Sequence, residues 1–251
     1  MLVMGILNVT PDSFADGGRH NEFEAAVARG LEMIAEGVDI IDIGGESTRP
    51  GADRVSQEEE IARTIPVIKE LAKHGVKISI DTMRASTAEA AIKAGASIIN
   101  DVSGGLADDA MLQTAARLQV PYIAMHWRGQ SKDMNSKAIY GDVVNDVIAE
   151  LNERIEAALD AGIAKDKLII DPGIGFAKDA EHNWAIIDAI DRFVAMGYPV
   201  LVGASRKRFL GGDSPDQREQ ATIELTKRLG TTGVWAVRVH SVKPHKEVLS
   251  S

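Results

Sequence analysis

The sequence predicts one domain, a (β/α)8 or TIM barrel that spans residues 1–251. Three observations support this prediction. The length of 251 residues is typical of such a barrel. Short apolar runs alternate with amphipathic stretches eight times along the chain. Linkers rich in Pro or Ser and low-complexity segments, which would mark a domain boundary, do not occur between them.

The apolar runs are the predicted strands. They are rich in Val and Ile and continuously apolar rather than alternating, which is typical of parallel strands buried on both faces. In chain order the runs are Leu2–Leu7, Val38–Ile43, Val76–Ile80, Ser97–Ile99, Pro121–Met125, Lys167–Ile170, Pro199–Val202 and Val234–Val239.

The amphipathic stretches carry start and stop signals for helices. Asn21, Ser56 and Ser86 each have a Glu three positions later and are predicted to open the first three helices. The two Ser residues have the spacing of a capping box. The longest predicted helix runs over Asp142–Ala161 and stops before Gly162. A doubly wound open sheet is the main alternative, but it usually needs fewer strands and a Gly-x-Gly-x-x-Gly loop after the first one, which is absent.

The composition limits the classes of partner. There are 28 Lys and Arg residues against 37 Asp and Glu, a formal net charge of −9. This balance argues against nucleic acid or a membrane surface as a general partner. A few Arg and Lys residues can still make a local site for a small anion. The chain has no Cys, which excludes disulfides, thiolate metal sites and a Cys nucleophile.

The location follows from two further absences. No apolar run approaches the ~20 residues of a membrane span. The first residues have neither the basic region nor the cleavage site of a signal peptide. We therefore expect a cytoplasmic protein.

Every predicted strand ends in a polar or ionisable residue. In a barrel the carboxyl ends of the strands converge on one mouth, so these side chains are the candidate site. They are Asn8, Asp42 with Glu46, Asp81, Asn100 with Asp101, His126, Asp171, Ser205 with Lys207, and Arg238 with His240.

These residue types suit two kinds of ligand group. A flat heterocycle with a guanidine-like N–H edge can be bound by carboxylates and a planar amide, here Asp81, Asn100 and Asp171. A phosphate or pyrophosphate suits the cationic donors, here Arg49, Arg238 and His240. Asn8 offers a neutral oxygen for a hard cation such as Mg²⁺ that is held mainly by substrate phosphates.

Seven segments carry a resemblance to a known family. They are Gly5–Phe14, Gly44–Gly51, Ser79–Thr82, Asn100–Gly104, Asp171–Phe176, Ser205–Lys207 and Arg238–His240. In this order they resemble dihydropteroate synthase, the folate-pathway family that joins para-aminobenzoate to a dihydropterin. The resemblance runs from Gly5 to about Val242, and details such as Met125–Trp127 resemble the actinobacterial branch.

The resemblance implies a role for each matching residue. The pterin ring would be held by Asp81, Asn100, Met125, Asp171 and Lys207. The pyrophosphate would be held by Asn8, Arg49, Arg238 and His240, with Mg²⁺ on Asn8. Para-aminobenzoate would be bordered by Phe14, Thr48, Pro50, Lys207 and Arg208. The residues expected to act in the reaction itself are Lys207, Arg238, His240 and Asp16.

The family also implies the reaction and the assembly. Dihydropterin pyrophosphate and para-aminobenzoate would condense to dihydropteroate and pyrophosphate, an alkyl transfer by an SN1-like route. Members of the family are typically homodimers.

The chain departs from the family pattern in four places. Ser241 stands where the family usually has Asp, Arg208 is often Ser, and residues 211–228 lack a common Gly-Thr-Ala pattern. The last helix is short because only residues 243–251 remain for it. Two other functions stay open on the sequence: a non-catalytic pterin-binding paralogue, which would be expected to lose Asn8, Arg49, Lys207 or His240, and a pterin-dependent methyltransferase domain, which would not need the Ser-Arg-Lys motif.

Overall fold

The computed structural model describes residues 1–10, 18–46, 55–129 and 134–250. Within them, eight parallel strands form one sheet. The strands are β1 (Leu2–Asn8), β2 (Ile40–Gly44), β3 (Lys77–Asp81), β4 (Ile98–Asp101), β5 (Tyr122–Met125), β6 (Leu168–Asp171), β7 (Leu201–Val202) and β8 (Ala236–Val239). All eight predicted strands are therefore confirmed, with boundaries shifted by one or two residues.

The sheet closes on itself. Its hydrogen-bonded order is β6-β5-β4-β3-β2-β1-β8-β7, so β1 lies between β2 and β8. The remaining gap between β6 and β7 is bridged by Ile170 and Val200, with a hydrogen bond of 3.0 Å from Ile170 N to Pro199 O. This closure makes the fold a (β/α)8 barrel and rules out the open-sheet alternative.

Helices cover the outside of the barrel. In the described part of the chain they are α1 (Gly18–Ala35), α2 (Gln57–Ala72), α3 (Ala85–Ala94), α4 (Met111–Leu118), α5 (Val143–Asp160), α6 (Ala180–Asp188), α7 (Ile190–Val194), α8 (Pro215–Leu229) and α9 (Lys243–Leu249). The last of these is short, as the sequence predicts.

Two of the helix starts are where the capping signals place them. Ser56 caps α2 by accepting from Glu59 N at 3.2 Å, and Asp142 caps α5 through Val144 N and Asn145 N. The first helix begins at Gly18, three positions before Asn21.

The prediction that Ser86 caps the third helix is wrong. Ser86 is the second residue of α3, which begins at Ala85. Asp108 replaces it, since its Oδ2 atom accepts from Ala85 N at 2.8 Å. A cap supplied from 23 residues further along the chain leaves no local signal in the sequence.

The barrel has an inner and an outer core. The inner cluster fills the barrel and consists of Met4, Ile40, Ile98, Ile123, Ile169, Leu201 and Ala236. Along each strand, side chains point alternately into the barrel and out toward the helices. The residue after an inner one therefore packs outward, as do Ile41, Ile99, Ile170 and Val237. A period of two is therefore hidden within runs that are apolar throughout.

The same alternation selects the residues of the mouth. Two positions beyond an inner apolar residue, the chain again faces inward, and there it carries Asp42, Asn100, Met125, Asp171 and Arg238. Asp101 and His126 have the opposite parity and lie behind the wall. Asp101, for example, accepts from Tyr122 Oη at 2.7 Å and from Ser103 N at 2.8 Å.

No helix in the described ranges combines the length and the apolar character that crossing a membrane would require.

The inner cluster should dominate the stability of the barrel. Ile123 is fully buried in it, whereas Ile139 is 78% exposed. We expect Ile123→Ala to lower the free energy of unfolding by about 2–5 kcal/mol, because it removes buried methylenes and leaves a cavity. Ile139→Ala, the same chemical change, should alter it by less than ~0.5 kcal/mol. Urea unfolding followed by circular dichroism measures both, and equal effects would contradict the assignment of the core.

Candidate active site

The mouth is organised around one guanidinium group. Arg238 Nε donates to Asp42 Oδ2 at 2.6 Å and Arg238 Nη2 donates to Asp81 Oδ2 at 2.7 Å. Asn100 Nδ2 donates to the same Asp42 oxygen at 3.0 Å. The sequence shows no carboxylate near Arg238, but β8 and β2 both flank β1, and β3 follows β2, so closure of the sheet brings the two acids to it.

The two acids and one guanidinium share a buried, poorly solvated place. Asp42 is fully buried and Asp81 is 7% exposed. Burial raises the pKa of Asp81 to about 7, Arg238 opposes this rise, and the negative charge of Asp42 adds to it. A ligand that brings further N–H donors would therefore favour the ionised form of Asp81.

Asp171 presents one free carboxylate oxygen. Its Oδ1 atom accepts from Gly173 N at 2.7 Å, and its Oδ2 atom makes no hydrogen bond to any described residue. Burial raises the pKa of Asp171, while the hydrogen bond from Gly173 and the charge of Lys207 oppose the rise. The carboxylate is held at one oxygen and available at the other.

Lys207 follows β7, the strand next to β6, and its charge acts on Asp171. Its Nζ atom donates to the carbonyl oxygen of Ile174 and lies 4.3 Å from the centre of the Phe176 ring. Burial lowers the pKa of Lys207 to about 7, and the charge of Asp171 opposes this. Met125, only 3% exposed, ends β5 on the same inner face.

Asn8 and Asp81 face each other across Gly44. A Cβ atom added at Gly44 would lie 3.8 Å from Asn8 Oδ1 and 3.6 Å from Asp81 Oδ2. Asp81 Oδ2 is bound by Arg238, and the absence of a side chain at Gly44 leaves Asn8 Oδ1 open to the mouth.

His240 is tied to the turn after β7. Its Nδ1 atom is 2.9 Å from Ser205 Oγ, and its backbone N–H donates to the same hydroxyl at 3.2 Å. Arg208 is exposed, and its side chain makes no hydrogen bond or ion pair with a described residue.

Five predicted site residues cannot be placed. They are Phe14, Asp16, Thr48, Arg49 and Pro50, which all lie outside the described ranges. Their roles stay predictions.

A separate cavity lies between α1 and α2, away from the acids of the mouth. Its volume is about 410 Å³, and it is lined by Val9, Glu22, Phe23, Glu59, Ala62, Arg63 and Pro66. The charged pair within it, Arg63 and Glu59, is satisfied at 3.0 Å. We place the candidate site at the mouth because the buried, pKa-shifted groups converge there.

Comparisons with known proteins decide the family. A family model described as pterin binding enzyme matches residues 4–240. The dihydropteroate synthase of Mycobacterium leprae is 48% identical over 257 residues, which covers 98% of this chain and 90% of that one. The chain belongs to the pterin-binding enzyme family.

Solved structures of the same family share the barrel. A dihydropteroate synthase from Xanthomonas albilineans with 4-aminobenzoic acid has a TM-score of 0.93 and 44% identity, and the match covers 99% of this chain and 90% of that one. The complex of the Xanthomonas albilineans enzyme with 7,8-dihydropteroate gives a TM-score of 0.90 and 41% identity, with coverages of 99% and 91%.

Asp42 of this pterin-binding enzyme has a larger part in the site than its sequence indicates. The sequence places it at a strand end and assigns it no role, but it accepts hydrogen bonds from both Arg238 and Asn100. Its Oδ1 atom is buried without a partner among the described residues. The two-residue period of a strand could have indicated this, because Asp42 lies two positions after the inner residue Ile40 and so faces the same side.

The sequence missed a clamp on the turn that carries Lys207. Arg206 has a left-handed backbone, with φ of 57°, which costs energy for a residue other than Gly. Its side chain donates to Glu219 Oε2 at 2.5 Å and to Ser241 Oγ at 2.7 Å. Its backbone N–H donates to Thr222 Oγ1 at 3.1 Å.

The clamp explains two departures from the family pattern. Ser241 binds Arg206 through its hydroxyl, and Glu219 on α8 supplies the carboxylate that a Ser at position 241 does not. Arg218 of the same helix donates to Arg206 O at 2.8 Å. The unusual segment 211–228 therefore holds the Ser205–Lys207 turn in place.

Loss of the clamp should loosen this turn. We expect Arg206→Ala to speed amide hydrogen exchange across residues 203–210 by about 10-fold or more, because two charge-assisted hydrogen bonds disappear. Arg228, an exposed residue of α8 paired with Asp188, provides the matched control Arg228→Ala, which should leave this segment unchanged. Mass spectrometry of exchanged peptides makes the measurement. Unchanged exchange in Arg206→Ala would show that the clamp has no such effect.

Proposed function

We propose that this protein is a dihydropteroate synthase that condenses 6-hydroxymethyl-7,8-dihydropterin pyrophosphate with para-aminobenzoate to give 7,8-dihydropteroate and pyrophosphate. The observation that carries this function is the joint presence of two buried, pterin-suited carboxylates and a partly buried Lys at one mouth: Asp81, Asp171 and Lys207. Its relatives carry the same activity in their names. Neither a non-catalytic paralogue nor a methyltransferase domain has an observation in its favour.

The pterin ring fits the inner face of the mouth. The free Oδ2 atom of Asp171 can accept N–H groups from the guanidine-like edge, and Asn100 can both donate and accept. Lys207 can donate to the ring's acceptors once it leaves the Ile174 carbonyl. Met125 and the plane of Arg238 would then lie against the ring faces.

The pyrophosphate belongs at the opposite rim. Arg238 keeps Nη1 available beyond its two ion pairs with described acids, and His240 is oriented by Ser205. Arg49, outside the described residues, and Asn8 would complete this subsite. Cationic donors stabilise the charge that collects on the leaving pyrophosphate.

Mg²⁺ fits this rim only as a partner of the substrate. Asn8 Oδ1 is an open neutral oxygen, and the described residues contain no cluster of three or more His, Asp or Glu side chains that would form a metal cage. Such a donor set suits a hard cation that keeps most of its ligands from pyrophosphate and water. When bound, the metal neutralises pyrophosphate charge.

The para-aminobenzoate subsite includes Lys207 and the exposed Arg208. Phe14, Thr48 and Pro50 would border it and Asp16 would close it, as proposed from the family pattern. A cationic pair at this position suits the benzoate carboxylate.

The proposed reaction breaks the bond between the pterin methylene carbon and the pyrophosphate oxygen, and the electron pair leaves with pyrophosphate. The electron-rich dihydropterin supports an SN1-like cation at that carbon. The neutral aromatic amine then attacks it with its nitrogen lone pair, and the proton that this nitrogen loses goes to the released pyrophosphate. Lys207, Arg238, His240 and Asp16 orient the reactants and exclude water. A covalent enzyme intermediate is not required. The homodimer and the cytoplasmic location stay predictions.

The pterin assignment is tested at Asp171. Asp171→Asn should weaken dihydropterin pyrophosphate binding by about 1.5–3 kcal/mol, or roughly 10- to 100-fold, because it removes a charged acceptor. Asp166→Asn, at an exposed position just before β6, is the control and should bind like the wild type. Calorimetry and an assay of dihydropteroate formation measure both. Wild-type protein that forms no dihydropteroate would overturn the proposed function, and unchanged affinity in Asp171→Asn would overturn this residue's role.

The metal proposal is tested by titration. Mg²⁺ should bind weakly to the protein alone and more strongly when inorganic pyrophosphate is present, since the phosphate oxygens supply most ligands. Asn8→Ala should reduce that enhancement. Tight, stoichiometric Mg²⁺ binding to the protein alone would contradict the proposal.

A further inference from the structure

A buried ammonium group lies behind the pterin wall. Lys178 is 8% exposed and follows the loop after β6. Its Nζ atom is 2.9 Å from His126 Nδ1, 3.1 Å from Gly173 O and 3.1 Å from Phe176 O. An ammonium group has three N–H donors and no acceptor, so three acceptors match it fully, whereas a neutral amine would leave one of them unmatched.

The tautomer of His126 is fixed from its other side. His126 Nε2 is 2.9 Å from Glu150 Oε2, and a carboxylate only accepts, so Nε2 carries the hydrogen and Nδ1 is free to accept from Lys178. Burial, helped by the charge of Lys178, lowers the pKa of His126 to about 4 and keeps the ring neutral. Glu150 is held by Arg128, whose Nε atom lies 3.0 Å from Oε2.

The Asp171–Phe176 segment is strained and carries two groups of the site. Gly173 and Gly175 have φ of 70° and 76°. A Cβ atom at Gly173 would lie 2.4 Å from His126 O, so only Gly fits. Gly173 N fixes the Asp171 carboxylate, and the Ile174 carbonyl accepts from Lys207.

Lys178 therefore joins two carbonyls of one strained segment and anchors them to His126 on the neighbouring strand end. We infer that Lys178, oriented by His126 and Glu150, is a positioning residue for the pterin ring: it fixes the Asp171–Phe176 backbone so that the Asp171 carboxylate is in place before the substrate binds. This inference rests on the proposed function, which assigns Asp171 to the pterin. All three of its hydrogens are bound behind the wall, so Lys178 itself does not touch the ring.

Three variants isolate this role. Lys178→Met keeps the length of the apolar stem and removes the donors. His126→Leu removes both the acceptor and the donor, whereas the amide of His126→Gln can provide both again. Lys93→Met is the control, because Lys93 is an exposed residue of α3 paired with Glu89.

The readout is the affinity for each substrate separately. Lys178→Met and His126→Leu should raise the KM for dihydropterin pyrophosphate by about 10-fold or more, with the KM for para-aminobenzoate within about 3-fold, because lost hydrogen bonds to a charged group loosen only the pterin wall. His126→Gln should recover most of the pterin affinity, and Lys93→Met should match the wild type. In ¹⁵N NMR, His126 should be the neutral Nε2–H tautomer at pH 7, and its pKa should rise in Lys178→Met, where the neighbouring charge is gone.

The outcomes separate the two proposals. Wild-type protein that binds no dihydropterin pyrophosphate would overturn the proposed function. Wild-type protein that binds it, with Lys178→Met binding equally well, would overturn the positioning role alone. If thermal unfolding shows that Lys178→Met does not fold, the comparison of His126→Gln with His126→Leu decides: equal pterin KM values reject the inference, and recovery by Gln supports it.

Discussion

The closed parallel sheet is the constraint on which the site depends. Because β1 pairs with both β2 and β8, and β6 meets β7 through Ile170 and Val200, every strand must turn alternate side chains into a filled interior. The apolar interior ends at the mouth, so the last inward-facing residue of most strands is a polar or ionisable residue of the site. Arg238 meets Asp42 and Asp81 for this reason alone, since these residues lie far apart in the chain and no local signal joins them.

This constraint sets the electrostatics of the mouth. Two carboxylates share one guanidinium in a place with little water, and the charges of Lys207 and Asp171 act on each other. Burial drives the pKa of Asp81 up and that of Lys207 down, both to about 7, so that neither group is fully committed to its charged form. A ligand with N–H donors on one edge and acceptors on another therefore restores both charges when it binds. The mouth is therefore organised for a polar flat ring.

The sequence predicts the strands well because short, continuous runs of Val and Ile favour parallel strands that are buried on both faces. It also places the site residues that end strands, since the barrel alone dictates where they meet. It assigns Asn100 to the ligand by residue type, but it does not show that Asn100 faces inward and Asp101 outward, because strands that are apolar on both faces hide this alternation until the inner cluster is known. The prediction that Ser86 caps α3 was wrong because Ala85 N donates to Asp108, a residue of another loop. Such a tertiary contact leaves no trace in the local spacing of the sequence. Lys178 had no signal at all, since its partners become neighbours only after β5 and β6 pair.

The two ends of the pterin subsite are each held by a cation that is not itself part of the subsite. Arg206 secures the turn that presents Lys207, using Glu219 and Ser241, and Lys178 secures the segment that presents Asp171. Both supports hold backbone in left-handed conformations, at Arg206 and at Gly173, which a free loop would seldom adopt. The strand ends place the site, and the loops that follow them set the final positions of its side chains. These loops keep their conformation because residues outside the mouth hydrogen-bond to their backbone carbonyl and N–H groups. The charged groups around the mouth thus fall into two sets: those that face the ligand, and those that face the loops and fix where the first set points.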